Sequence, residues 1–120
     1  MNVFSFAISR PPKSVEKFLT DYKINRDTDI DYFLIHQANK MIVDRIVKKL
    51  KLPQEKVPYN LEEFGNLGGA SIPSLMVTRL RKQLMSKETT LLMSSFGLGL
   101  TWGTMWMKTK PMVMSDIIGI

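Results

Sequence analysis

Apolar residues recur along the chain with two different periods, and the changes of period mark its elements. Val15, Phe18, Leu19 and Tyr22 stand at i, i+3, i+4 and i+7, one face of a helix, with Ser14 ahead of them as an N-cap. Before them, Asn2 to Ile8 is β-branched and aromatic and predicts a strand, which Pro11 and Pro12 break. Asn25 to Asp29 is polar and turn-like, and Asp31 to Ile35 (DYFLI) is a short run of strand type. A second helix begins near Asn39. Its stripe is Ile42, Ile46 and Leu50 with Val43 and Val47 beside it, and Pro53 ends it. Val57 to Asn60 predicts a short strand, and Leu61 to Phe64 a helical turn. Three glycines in Gly65-Asn66-Leu67-Gly68-Gly69 require a loop. From Ser71, a possible cap followed by Pro73 in the first turn, Ile72, Met76, Leu80 and Leu84 repeat every four residues and predict a third helix. Thr90 to Phe96 and Leu100 to Lys108 read as two strands about a glycine turn.

The order is β-α-β-α-(β)-α-β-β. Such alternation predicts an α/β fold, a mixed sheet with flanking helices. The last two strands are joined too tightly for a helical crossover and are expected to be antiparallel. Residues 1–110 form the expected domain. The rest, from Pro111, is an apolar tail that packs on the body or on a neighbour.

Thr89 to Met107 carries no charge over 19 residues, close to membrane-span length. Nine of them are Ser, Thr or Gly, which favours two buried strands over a membrane helix. No membrane span is expected. Met1 to Arg10 lacks a basic region before an apolar run, so no signal peptide is read there. Together with the lack of cysteine, this predicts a cytoplasmic location.

Composition narrows the chemistry. The 120 residues contain no cysteine and a single histidine, His36. That excludes disulfides, thiolate sites and a cysteine nucleophile from this chain, and also a multi-histidine metal site. No cofactor and no metal are expected. Seventeen Lys and Arg against eleven Asp and Glu leave a net charge of +6. Residues 40–56 hold six bases and two acids, so +4 of that total. This run is a solvated face or a dock for an acidic protein or phosphate group. It lacks interleaved aromatics, so nucleic acid is not expected.

Three positions invite chemistry. His36 stands where a strand exits and a helix begins, the place where α/β sheets gather their sites. A neutral imidazole there can exchange a proton near pH 7, or it can simply satisfy a backbone group. Asn66 in the glycine loop can offer amide donors to a ligand, or merely tolerate a left-handed turn. Phe96-Gly97-Leu98-Gly99 can aim a backbone N–H at an oxyanion, or be an ordinary glycine turn.

Taken together, HQANKMIVDRIVKKLKLP, FGNLGGASIP and SSFGLGLTWG resemble, in this order, the C-terminal part of the β-ketoacyl-ACP synthase III family of the thiolase superfamily. The likeness runs from about Val3 to Lys108. It implies the C-terminal half of a thiolase-like fold and a decarboxylative Claisen condensation of malonyl-ACP with an acyl thioester, as in fatty acid biosynthesis. By this resemblance, His36 and Asn66 are the partners of a catalytic cysteine and donate hydrogen bonds to the malonyl thioester carbonyl. Phe96, Gly97 and Leu98 form the oxyanion and substrate turn, with the N–H of Leu98 as donor. Gln37, Ala38, Asn39, Lys40, Met41, Lys48 and Lys49 match the region that receives acyl carrier protein. Leu98 stands where small residues are common in the family, and Met41 where an arginine is frequent. The cysteine lies in the N-terminal half that this sequence does not contain.

Two functions follow as expectations. In one, the chain supplies the His/Asn half of an acyltransferase site. It is inactive without a cysteine-bearing N-terminal partner and acts on acyl-CoA and malonyl-ACP. In the other, it is a non-catalytic module that binds acyl carrier protein or another acidic partner. A half whose partner is missing exposes apolar surface, so a homo-oligomer is also expected, with Met112 to Ile120 as a contact.

Overall fold

The chain is organised on one long strand, β2 (Thr89–Gly97), which divides two apolar clusters. The computed structural model describes residues 2–119. β2 pairs in parallel with β1 (Tyr32–Ile35), Phe33 opposite Leu92, and antiparallel with β3 (Thr101–Thr109), Phe96 opposite Trp102. The sheet order is β1-β2-β3. Strand side chains alternate between faces. Leu92 and Phe96 therefore join one cluster and Leu91 the other.

The first face is covered by α1 (Val3–Ala7), α2 (Arg10–Asp21) and α3 (Lys40–Lys49). Its cluster includes Phe6, Val15, Leu19, Phe33, Ile42, Val43, Ile46 and Val47, all buried. The second face carries α5 (Ser71–Arg79) and α6 (Arg81–Ser86), through Leu75, Leu80 and Leu84 packed with Leu34 and Leu91. A short α4 (Leu61–Phe64) and two 3₁₀ turns (Gln54–Lys56 and Gly68–Ala70) complete the helices. Each fully buried aliphatic side chain contributes about 1.5–3 kcal/mol, so these two clusters hold the sheet in place.

The fold class is as expected: α/β, with a mixed sheet and flanking helices. Several local readings are corrected. Val3–Ala7 is a helix, not a strand. Asn2 caps it by accepting the Ser5 N–H at 2.8 Å, and Phe6 packs edge-on against Trp102 with centroids 5.6 Å apart. Pro11 and Pro12 do not break the chain. They occupy the first turn of α2, where no N–H is needed. Ser14 is therefore inside the helix, its hydroxyl 2.8 Å from that of Thr104. Tyr22 is exposed on the end of its stripe and stacks on Phe18.

Val57 to Asn60 forms no strand; the N–H of Asn60 goes to the side chain of Gln37 instead of a ladder. The third helix is two, separated at Leu80 (φ −118°, ψ 6°). Ala70, not Ser71, occupies its N-cap. β3 is also not a buried strand. It is paired on one side only, and Trp102, Met105 and Trp106 are exposed. Among the described residues no helix is long and apolar enough to cross a membrane. Beyond β3, Met112 and Met114 pack against the second cluster, and the Met112 N–H donates to the carbonyl of Leu84 at 2.9 Å. Val113 and Ile118 stay exposed.

Candidate functional site

His36 follows directly on β1, whose ladder extends one more step: its N–H donates to the carbonyl of Ser94 at 2.9 Å. Asn39 then caps α3, its Oδ1 accepting from the N–H of Ile42 at 2.9 Å. The imidazole is thus fixed between a strand end and a helix start. The residue is 8% exposed, and its ring meets the ring of Phe96 edge-on with centroids 5.1 Å apart.

Asn66 lies on the Gly65–Gly69 loop. Gly65 (φ 65°) and Gly68 (φ 58°) take backbone conformations that favour glycine. The Oδ1 of Asn66 accepts the Gly68 N–H at 2.9 Å. This turn engages the amide oxygen, so the donor left to the side chain is its NH₂.

The third wall is the β2–β3 turn, with Gly99 (φ 75°) and Leu100 (φ 53°) at its tip. A Cβ at Gly97 would meet nothing within 4 Å, so space lies open above that position. His36, Ala38, Asn66, Phe96, Gly97 and Leu98 line one cleft of about 570 Å³. The sequence-predicted catalytic pair and the predicted turn therefore meet in one place. No Asp, Glu, Lys or Arg lines that cleft.

Burial pushes the His36 imidazole below its ordinary value of 6.5. The ring is neutral at pH 7, with one N–H to donate. Acidification is therefore expected to weaken the fold through this ring. The unfolded chain takes a proton at about 6.5, and the native chain only at lower pH. The contribution is whole above 6.5 and is lost as pH falls through the native value. Urea midpoints of the wild-type chain and His36→Gln between pH 7.5 and 5 check this. A steeper loss on acidification is expected for wild type, and identical pH dependence would contradict it.

The carrier-binding candidates do not all share one setting. Gln37 is fully buried and hydrogen-bonded inside the chain, and Asn39 spends its carboxamide oxygen on the α3 cap. Ala38 is half-buried in the cleft wall. Lys40, Met41, Lys48 and Lys49 are exposed on α3. Lys40 is paired with Asp44 at 2.7 Å, which raises the lysine pKa and lowers that of the carboxyl. Tyr59 also donates to Asp44, and burial above all pushes its phenol up to about 12. Lys49 donates to the carbonyl of Ile8 at 3.0 Å.

Arg45, one of the six bases of the 40–56 run, belongs with this surface although the resemblance does not name it. It lies over the ring of Phe4 at 5.9 Å and lines a shallow groove with Lys40, Met41 and Lys48. The signal was its spacing: four residues after Met41 and three before Lys48, on one helix face. Among the described residues, no group of three or more His, Cys, Asp or Glu could hold a metal ion.

The same architecture occurs in known proteins. A solved 3-oxoacyl-(acyl-carrier protein) synthase from Burkholderia xenovorans LB400 superimposes with a TM-score of 0.89 at 36% identity, covering 95% of this chain and 32% of that one. The 3-oxoacyl-(acyl carrier protein) synthase III from Pseudomonas aeruginosa PAO1 gives 0.81 at 31% identity, covering 93% of this chain and 35% of that one. This is the thiolase-like fold. In sequence, the beta-ketoacyl-(acyl-carrier-protein) synthase III of Microcystis aeruginosa is 44% identical over 102 residues, 84% of this chain and 30% of that protein. The chain thus spans about a third of the length of these relatives. The profile described as 3-oxoacyl-(acyl-carrier-protein) synthase III C terminal matches residues 23–109. With that match over most of its length, the chain belongs to the 3-oxoacyl-ACP synthase III C-terminal family.

Proposed function

We propose that this chain supplies the hydrogen-bonding half of a decarboxylating condensation site. His36 and Asn66 would donate to one malonyl thioester carbonyl. The carbon–carbon bond to the carboxylate breaks, carbon dioxide leaves, and the electron pair moves onto that carbonyl oxygen as an enolate. Two donors aimed at this oxygen stabilise the charge as it develops. The enolate carbon would then attack a cysteine-bound acyl thioester, the Leu98 N–H would hold the second oxyanion, and the cysteine thiolate would leave as that oxyanion collapses. The acyl-bearing cysteine comes from a segment outside these 120 residues, which contain none. The observation that carries the reading is that His36, Asn66 and Phe96–Leu98, 30 or more residues apart in sequence, line one uncharged cleft.

The direct test mixes this chain with a cysteine-bearing N-terminal segment of a family member and follows condensation with malonyl-ACP. Activity above that of either part alone is expected, and no gain sinks the reading.

Acyl carrier protein, an acidic partner, would approach along α3. Arg45, Lys48 and Lys49 project there beside Met41, and among the described residues none of the three bases is in an ion pair. Lys48→Glu with Lys49→Glu is expected to weaken binding of acyl carrier protein by about tenfold or more at low salt, and by less at high salt. Calorimetric titration at two salt concentrations measures it; an unchanged Kd removes α3 as the dock. The exposed bases of α3 also fit a second reading, a binding module without catalysis. That reading predicts carrier binding with no gain of condensation.

A further inference from the structure

We propose that Gln37 is a positioning residue: its buried side chain ties the strand end that carries His36 to the segment that carries Asn66, and so sets the two donors relative to each other. The inference rests on the reading that both donors act on one substrate carbonyl.

Gln37 is fully buried, although its neighbours Asn39, Lys40 and Met41 turn towards solvent. Its Nε2 donates to the carbonyl of Ile35 at 2.9 Å, the last residue of β1. Its Oε1 accepts the N–H of Asn60 at 3.2 Å. The bridge therefore joins Ile35, the residue before His36, to Asn60, which lies 23 positions after Gln37.

Asn60 in turn anchors both segments that flank the Asn66 loop. Its carbonyl accepts the N–H groups of Phe64 and Glu63 at 3.0 and 3.3 Å, closing the single turn of α4. α4 ends at Gly65, whose N–H donates to the carbonyl of Leu61 at 2.9 Å, and Asn66 is the next residue. The Nδ2 of Asn60 donates to the hydroxyls of Ser74 and Thr78 on α5 at 2.9 and 3.2 Å. One polar chain thus runs from the exit of β1 through Gln37 and Asn60 to both flanks of the Asn66 loop. A buried network of this kind restrains geometry, because a buried polar group that loses its partner is penalised, although the Oδ1 of Asn60 itself has none. A loop of three glycines has little stiffness of its own, so its position must come from its anchors.

The test is hydrogen exchange and NMR on the isotope-labelled chain. Gln37→Met keeps the volume and removes both hydrogen bonds. The Gly68 N–H, which reports the Asn66 turn, is expected to exchange at least about tenfold faster. The Asn66 side-chain amide and the single histidine ring should shift, while the amides of β3 keep their protection. A purely local role would expose the Asn60 N–H and leave Gly68 and Asn66 at wild-type values; that result overturns the proposal.

Gln37→Glu is the second variant. Its protonated acid offers the same donor and acceptor as the amide, whereas its carboxylate can no longer donate to Ile35. Burial raises that acid's pKa, so the bridge is whole at low pH and lost as pH rises through it. Gly68 protection relative to wild type should fall over the same interval. A ratio that does not change with pH overturns the proposal even if Gln37→Met fails to fold. Both readouts need only this chain, so they stand whether or not condensation is reconstituted with a cysteine-bearing segment.

Discussion

Replacing His36 with alanine is expected to lower condensation by the reconstituted pair about 10²–10³-fold, the loss typical when one oxyanion donor is removed. The effect should fall mainly on turnover. On the proposed mechanism the imidazole N–H would interact more strongly with the enolate oxygen than with the ground-state carbonyl, and only that difference would accelerate the step. Asn66→Ala should produce a loss of similar size. The double variant should be only slightly worse than either single one, because two donors to one oxygen act as a unit. Carrier binding provides the control. α3 is built on Asn39 and the stripe of Ile42, Val43, Ile46 and Val47, none of which needs the imidazole. Steady-state kinetics with malonyl-ACP, together with a binding titration, separate the two. A His36→Ala pair with wild-type turnover would remove His36 from the reaction.

The largest structural effect is expected at Phe33. It is 1% exposed, lies on β1 opposite Leu92, and belongs to the cluster that joins α2 and α3 to the sheet. Phe33→Ala removes most of that contact and leaves a cavity that neighbouring strands cannot close, at a cost of about 3–5 kcal/mol. A domain of this kind has roughly 5–15 kcal/mol in total. The variant should therefore unfold at far lower urea, with partial unfolding at 37 °C. A cost below about 1 kcal/mol would show that this cluster does not carry the fold. The same strand presents His36 three residues later, so activity should fall with stability at this position.

Most of the site was legible because its parts are local signals. A strand running into His36 with Asn39 as cap, a loop with three glycines, and a glycine turn between two strands each follow from neighbours in sequence. What failed was set by contacts distant in sequence. The aromatic run at Val3–Ala7 has strand propensity, yet it folds as a helix because Phe6 meets Trp102, 96 residues away. Val57 to Asn60 has the residues of a strand but no neighbouring strand, since its last N–H is claimed by Gln37. Gln37 itself shows the limit most sharply. By resemblance it falls in the segment that receives acyl carrier protein, and only the fold shows it buried. The exposure of β3 was hidden for the opposite reason: an uncharged, apolar segment reads as buried whether or not anything covers it.

That outer strand has a practical consequence. Among the described residues the nine-residue β3 is paired along one side only, and such an edge is a template for another strand. Natural edges protect themselves with lysines, prolines or bulges. Here no charge occurs between Thr89 and Met107, and Lys108 at the far end is paired with Glu88. The chain therefore lacks a gatekeeper against edge-to-edge aggregation just where Trp102, Met105 and Trp106 are exposed. A lysine at Met105 would supply one, on a side chain already 59% exposed and outside the cleft.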